Sequence, residues 1–165
     1  MRDSLDRGRD LTSVTDDRLR LLDQALAQRV PQSTTWPRFQ RAFAAPNPGT
    51  DFWIEHPPLD QNADQHLVVL LRRDGAVQVE WHVTEKRGSP FELFMACDRE
   101  PVAEVIDAAA EFVATVVQEE TVLAYHGGFW RGGRRFLSAH EVAGARRDKH
   151  LQWMVSWNGT HTWHR

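Results

Sequence analysis

Residues 67–84 read Leu67-Val-Val-Leu-Leu-Arg-Arg-Asp74-Gly75-Ala-Val-Gln-Val-Glu-Trp-His-Val-Thr84. Two runs rich in β-branched and aromatic residues flank Asp-Gly, a dipeptide that favours hairpin turns because Gly tolerates positive φ. The pattern predicts an antiparallel hairpin. With a two-residue type I′ turn, Leu71 opposes Gln78, Leu70 opposes Val79, Val69 opposes Glu80 and Val68 opposes Trp81. One face is then Val68, Leu70, Val77, Val79 and Trp81. The other mixes Leu67, Val69 and Leu71 with Gln78, Glu80 and His82, and it is too apolar to be left fully in water.

A second Asn-Gly sits between Leu151–Trp157 and Thr160–Arg165, predicting another hairpin of the same turn type. Its register sets Trp153 against His164 and Met154 against Trp163. Gln152, Met154, Ser156, His161, Trp163 and Arg165 would share one amphipathic face. The tripeptide Asn158-Gly159-Thr160 matches a glycosylation acceptor but reads as this turn.

Between the hairpins, Phe91 to Cys97 alternates as a strand, and Arg99–Gln118 carries Val102, Val105, Ile106, Ala109, Phe112, Val113, Val116 and Val117 on one helical stripe, with Pro101 in its first turn. A strand over 121–126 follows, then Gly127-Gly128-Phe129-Trp130-Arg131-Gly132-Gly133 and a short strand at Phe136–Leu137. Before the first hairpin, a helix over 16–30 presents Leu19, Leu22, Ala25, Leu26 and Val30, opened by Asp16 and Asp17 and ended by Pro31. Six prolines between residues 31 and 65 exclude a long helix or a central strand on this reading, so that segment is expected to wander over the core, with a short helix at 37–44. The order is α, loop, βββ, α, βββ. The fold class is α+β: an antiparallel sheet of hairpins, about six strands, packed with two main helices. Residues 1–12 read as a charged tail, and 13–165 as a single domain.

A formal charge of −3 provides no global field for nucleic acid, and Cys97 alone can form neither an internal disulfide nor a thiolate-rich metal site. With a charged N-terminus and no apolar run of roughly 18 residues, the chain is expected to be cytoplasmic, without a membrane. No cofactor or metal motif is present: His161 and His164 point to opposite strand faces, and no His-Glu-x-x-His occurs.

Two sets of residues invite function. Glu80 and His82, two apart on a strand, project from the same face, where one can act as a base and the other orient it, the reading as a small enzyme. Phe129, Trp130 and Arg131 in the glycine loop, with Arg134, His161 and Trp163, are residue types enriched in binding hot spots, the reading as a protein-binding module. A third reading covers the Val69/Leu71 face with a ligand or by self-association.

The run Ser89-Pro90-Phe91-Glu92-Leu93-Phe94-Met95-Ala96-Cys97-Asp98 leading into an Ala/Val helix, then Tyr125, the paired glycines and Arg134-Arg135-Phe136-Leu137, resembles small α+β immunity proteins of bacterial polymorphic toxin systems. The resemblance covers about the middle third of the chain. It implies a non-catalytic inhibitor that binds a cognate toxin, with no family residue carried over. The sequence therefore points first to a protein-binding module, and second to a Glu80/His82 enzyme.

Overall fold

In a computed structural model, which describes residues 17–46, 48–56, 65–83, 102–127 and 133–165, the hairpin of 67–84 forms with a different turn from the expected one. Strands β3 (Gln65–Leu71) and β4 (Val77–Val83) pair antiparallel. The Gly75 N–H donates to the Arg72 carbonyl at 3.0 Å and the Arg72 N–H to the Ala76 carbonyl at 2.9 Å, so the loop is three residues, 73–75. Only Gly75 has positive φ, at 92°, whereas a type I′ turn demands it at both central positions. Asp74 instead accepts the Ala76 N–H through Oδ1 at 3.1 Å.

One extra loop residue shifts the pairing by one, and a one-residue shift moves a strand's side chains to the opposite face. Leu71 pairs Val77, Val69 pairs Val79 and Leu67 pairs Trp81. These six side chains make a wholly apolar face, none more than 1% exposed. Each contributes about 1.5–3 kcal/mol by leaving water. The other face carries Val68 opposite Glu80, Leu70 opposite Gln78 and His66 opposite His82. The expected mixture of Leu67, Val69 and Leu71 with Glu80 and His82 is thus corrected.

The proline-rich segment holds two strands rather than a wandering cover. Strands β1 (Arg38–Phe43) and β2 (Gly49–His56) extend the sheet in the order β1-β2-β3-β4, so the helix expected at 37–44 is a strand. Pro37 precedes β1, Pro46 and Pro48 separate the pair, and Pro57 follows β2, so none removes a ladder donor from a strand interior. Inside these bounds Phe52, Trp53 and Ile54 are buried.

Helix α1 (Asp17–Arg29) buries Leu19, Leu22 and Leu26 along one stripe. Arg38 shares the apolar face with Ile54 and Val69 by register, and its guanidinium meets Asp23 of α1 at 2.8 Å. That ion pair lays α1 on the apolar side. Helix α2 (Val102–Val117) buries Val105, Ile106, Ala109, Val113 and Val116 of the predicted stripe but leaves Val102 exposed, and Arg29 ties α1 to it through Asp107 at 2.6 Å and Glu111 at 3.0 Å.

The chain divides into two compact units, Met1–Val113 and Ala114–Arg165. In the second, β5 (Thr121–His126), β6 (Gly133–Ser138), β7 (Leu151–Val155) and β8 (Trp163–His164) form an antiparallel sheet in the order β6-β5-β7-β8. Val122, Ala124, Leu137, Leu151 and Met154 form its core with Val142 and Ala145, which belong to or border α3 (Val142–Ala145). The α+β class with antiparallel sheets holds, with eight strands and three helices among the described residues. The predicted strand at 91–97, with Cys97, and the loop residues 128–132 lie outside the described residues. Among those described, no helix is long and apolar enough to cross a membrane.

The terminal hairpin keeps its predicted register, Trp153 with His164 and Met154 with Trp163. Its turn is wider than two residues: Gly159 N–H donates to the Ser156 carbonyl at 3.2 Å and Thr162 N–H to the Gly159 carbonyl at 3.1 Å. Glu119 explains the width. It sits just past α2 at φ 61°, the position usually taken by Gly, with the Glu120 N–H on the Thr115 carbonyl and the Glu119 N–H on the Val116 carbonyl. From there its Oε1 accepts the N–H groups of Asn158 at 2.7 Å and Thr160 at 3.2 Å. The carboxylate thereby holds the loop open around itself.

Candidate functional site

On β4 the period of two places Gln78, Glu80 and His82 in one line. Glu80 Oε2 lies 2.7 Å from His82 Nε2, and Glu80 Oε1 accepts Gln78 Nε2 at 2.5 Å. The side chains of Glu80 and His82 keep only 17% and 16% of their accessible surface. The ring of His66, opposite on β3, stacks on His82 at 4.3 Å and 8°. Glu55 of β2 lines up with Val68 and Glu80 across the sheet, and burial pushes its carboxyl above the ordinary value against the pull of His82.

The predicted pair Glu80 and His82 is therefore brought together. The carboxylate fixes the imidazole's orientation: if Nε2–H donates to Glu80, Nδ1 is left as the basic nitrogen. This is the geometry of a base and its orienter. Sequence reasoning missed His66 and Glu55, because both join the pair only through strand pairing. Among the described residues no group of three or more His, Cys, Asp or Glu could hold a metal ion. A hollow of about 640 Å³ lies in the second unit, lined by Thr115, Glu120, Phe136 and Ser138 among others, and by none of the Glu80 cluster.

The second set of predicted residues is dispersed. Phe129, Trp130 and Arg131 lie outside the described residues. Trp163 faces inward, opposite Met154, and packs against the core of the second sheet. His161 lies in the widened loop, its N–H on Ser156 Oγ at 2.8 Å. Arg134 lies on the other sheet face from Trp163, paired with Tyr125.

Arg134 belongs instead to a row the sequence did not single out. Register places Arg134, Tyr125, Trp153 and His164 side by side on four adjacent strands. Tyr125 and Trp153, both half-buried, stack at 5.6 Å and 21°. Trp153 stays half-buried on this face, because β7 turns Met154 inward. At the same end of the sheet His126 Nε2 stands 3.4 Å from Asp148 and 3.5 Å from Arg135. Burial first, then the Arg135 charge, hold the His126 imidazole below its usual value against the pull of Asp148. The His150 N–H, then the charges of His126, His150 and Arg135, hold Asp148 low against desolvation.

No family model, no curated protein and no solved structure matches this chain.

Proposed function

We propose that this chain is a non-catalytic protein-binding module. The observation that carries the reading is the cross-strand row Arg134–Tyr125–Trp153–His164. Arg, Tyr and Trp are the residue types that dominate binding energy, and side chains mounted on paired strands are already ordered before a partner arrives. The resemblance to immunity proteins supplies the partner class, a bacterial toxin met in the cytoplasm and blocked by occlusion. The test is calorimetric titration of the full chain against the product of the adjacent reading frame. Trp153→Ala is expected to weaken binding about 30-fold, corresponding to about 2 kcal/mol, with an unchanged thermal melt. Robust turnover by the isolated chain, or undiminished binding by Trp153→Ala, overturns it.

The Glu80–His82 contact of 2.7 Å favours a second reading, a small enzyme with His82 as base and Glu80 as its orienter. It requires that Glu80→Gln and His82→Ala each abolish an activity that the parent chain shows in a hydrolase and transferase substrate screen. Unchanged activity in both variants removes it.

A further inference from the structure

The second unit carries its charge unevenly. Residues 114–165 hold seven Arg and Lys against four Asp and Glu, a formal +3, whereas residues 1–113 hold thirteen against nineteen, a formal −6. The chain's mild overall acidity therefore hides a basic unit. Within that unit the strands sort the charges by end. Glu119 and Glu120 precede β5 and Glu141 follows β6, so three of the four acids lie at one end of the sheet. At the opposite end lie the start of β6, the turn before β7 and the end of β8, which bring together Arg134, Arg135, Lys149, His150, His164 and Arg165, all exposed.

Hydrogen bonds show that this gathering is built rather than loose. The Gly127 N–H donates to the His150 carbonyl at 2.8 Å, the Arg165 N–H to the Gln152 carbonyl at 3.0 Å, and the Arg165 guanidinium to the Lys149 carbonyl. Asp148 is the one acidic side chain of this end among the described residues, and it is engaged by His126 and by the His150 N–H at 2.9 Å. The Arg134–Tyr125–Trp153–His164 row runs across the same end.

We propose that this basic end is an interaction surface for an acidic protein surface. The inference rests on the protein-binding reading and specifies its partner's chemistry. Complementary charge steers the encounter and rejects wrong partners, while the half-buried aromatics supply apolar contact beside it. Two observations favour a compact acidic surface over a nucleic acid. The acids at the far end of β5 stand about 20 Å away at 3.3 Å per residue, so a long polyanion would run onto them. Tyr125 and Trp153 stack on each other, which leaves less ring face for bases.

The experiment uses the full chain and two probes, a fluorescein-labelled peptide of about twelve glutamates and a labelled thymidine oligonucleotide of comparable charge. Arg134→Glu and Lys149→Glu are compared with Arg20→Glu, an exposed position on α1 that changes the net charge equally. The expected result is a loss of tenfold or more in glutamate-peptide affinity for the first two, a change within twofold for Arg20→Glu, and weaker binding of the oligonucleotide. Equal losses in all three variants reduce the effect to net charge and overturn the proposal, as does absence of peptide binding. Tighter oligonucleotide binding overturns it in favour of nucleic acid. A protein partner whose affinity ignores Lys149→Glu and Arg134→Glu removes this surface but leaves the protein-binding reading standing, whereas turnover by the isolated chain removes both.

Discussion

Replacing Glu119 separates two opposing energies held in one residue. Its backbone, at φ 61°, costs about 1–2 kcal/mol for any residue with a Cβ. Its carboxylate accepts the Asn158 N–H at 2.7 Å and the Thr160 N–H at 3.2 Å. Hydrogen bonds to a charged group contribute about 1.5–3 kcal/mol each when buried; here partial exposure and the length of the second bond bring the pair to about 2 kcal/mol in total. Glu119→Ala keeps the backbone cost and loses both bonds, so it should destabilise by about 2 kcal/mol. Glu119→Gly loses the bonds but relieves about 1 kcal/mol of strain, so it should destabilise by about 1. Urea denaturation at pH 7 should therefore rank wild type above Gly above Ala. Amide exchange at Asn158 and Thr160 should quicken in both variants. Burial alone would raise the Glu119 carboxyl, but hydrogen bonds from Thr160, Ser156 and Asn158 outweigh it and hold it below 4.5. A depressed carboxylate contributes its stability above the unfolded value and loses it as pH falls through the folded one. The gap between wild type and Glu119→Gly should thus close in acid. A Gly variant as stable as wild type at pH 7 would show that the carboxylate contributes nothing, and an Ala variant matching Gly would show that the backbone is unstrained.

Gly75→Ala meets no atom within 4 Å of its new Cβ, so its cost is that of φ 92° alone, about 1 kcal/mol; an unchanged urea midpoint refutes the three-residue turn. Burial raises the Glu55 carboxyl, so its native state holds the proton more tightly than the unfolded chain and stability falls as pH rises through the folded value. Glu55→Gln should accordingly be more stable than wild type at pH 7 and equal to it below pH 4.5; equality at pH 7 counts against burial as the cause. His126 is depressed, so its contribution is complete above 6.5 and is lost as pH falls below that value. Thermal melts of His126→Gln should flatten this acid limb, and a limb as steep as wild type's would place its origin elsewhere.

Periodicity located most elements from the sequence alone. The helix expected at 16–30 spans Asp17–Arg29, the one expected at 99–118 spans Val102–Val117, and the strand at 121–126 matches residue for residue. These signals are local: apolar side chains recur every 3.6 or 2 residues whatever the rest of the chain does. Proline counting misread β1 and β2, because what matters is whether a proline falls inside a strand, and among the described residues none does. Of the candidate site, the Glu80–His82 pair was legible because alternation on one strand suffices to place it. His66, Glu55, Tyr125 and the basic end were not, although the excess of Arg and Lys after residue 113 was a signal available in the sequence.

By itself, then, the sequence determined that this chain combines helices with antiparallel hairpins, and it set the bounds of α1, α2, β3, β4 and β5 to within a few residues. Tertiary structure alone decided the register. Asp74-Gly75 is compatible with two-residue and three-residue turns, and the choice between them sends Leu67, Val69 and Leu71 to one face or the other. The three-residue turn buries six apolar side chains on one side, leaving Glu80, His82 and Gln78 to bond one another on the other. The same holds for the basic end: residues 134, 149 and 165 are distant in sequence, and only the pairing order β6-β5-β7-β8 brings their charges to one end of the sheet.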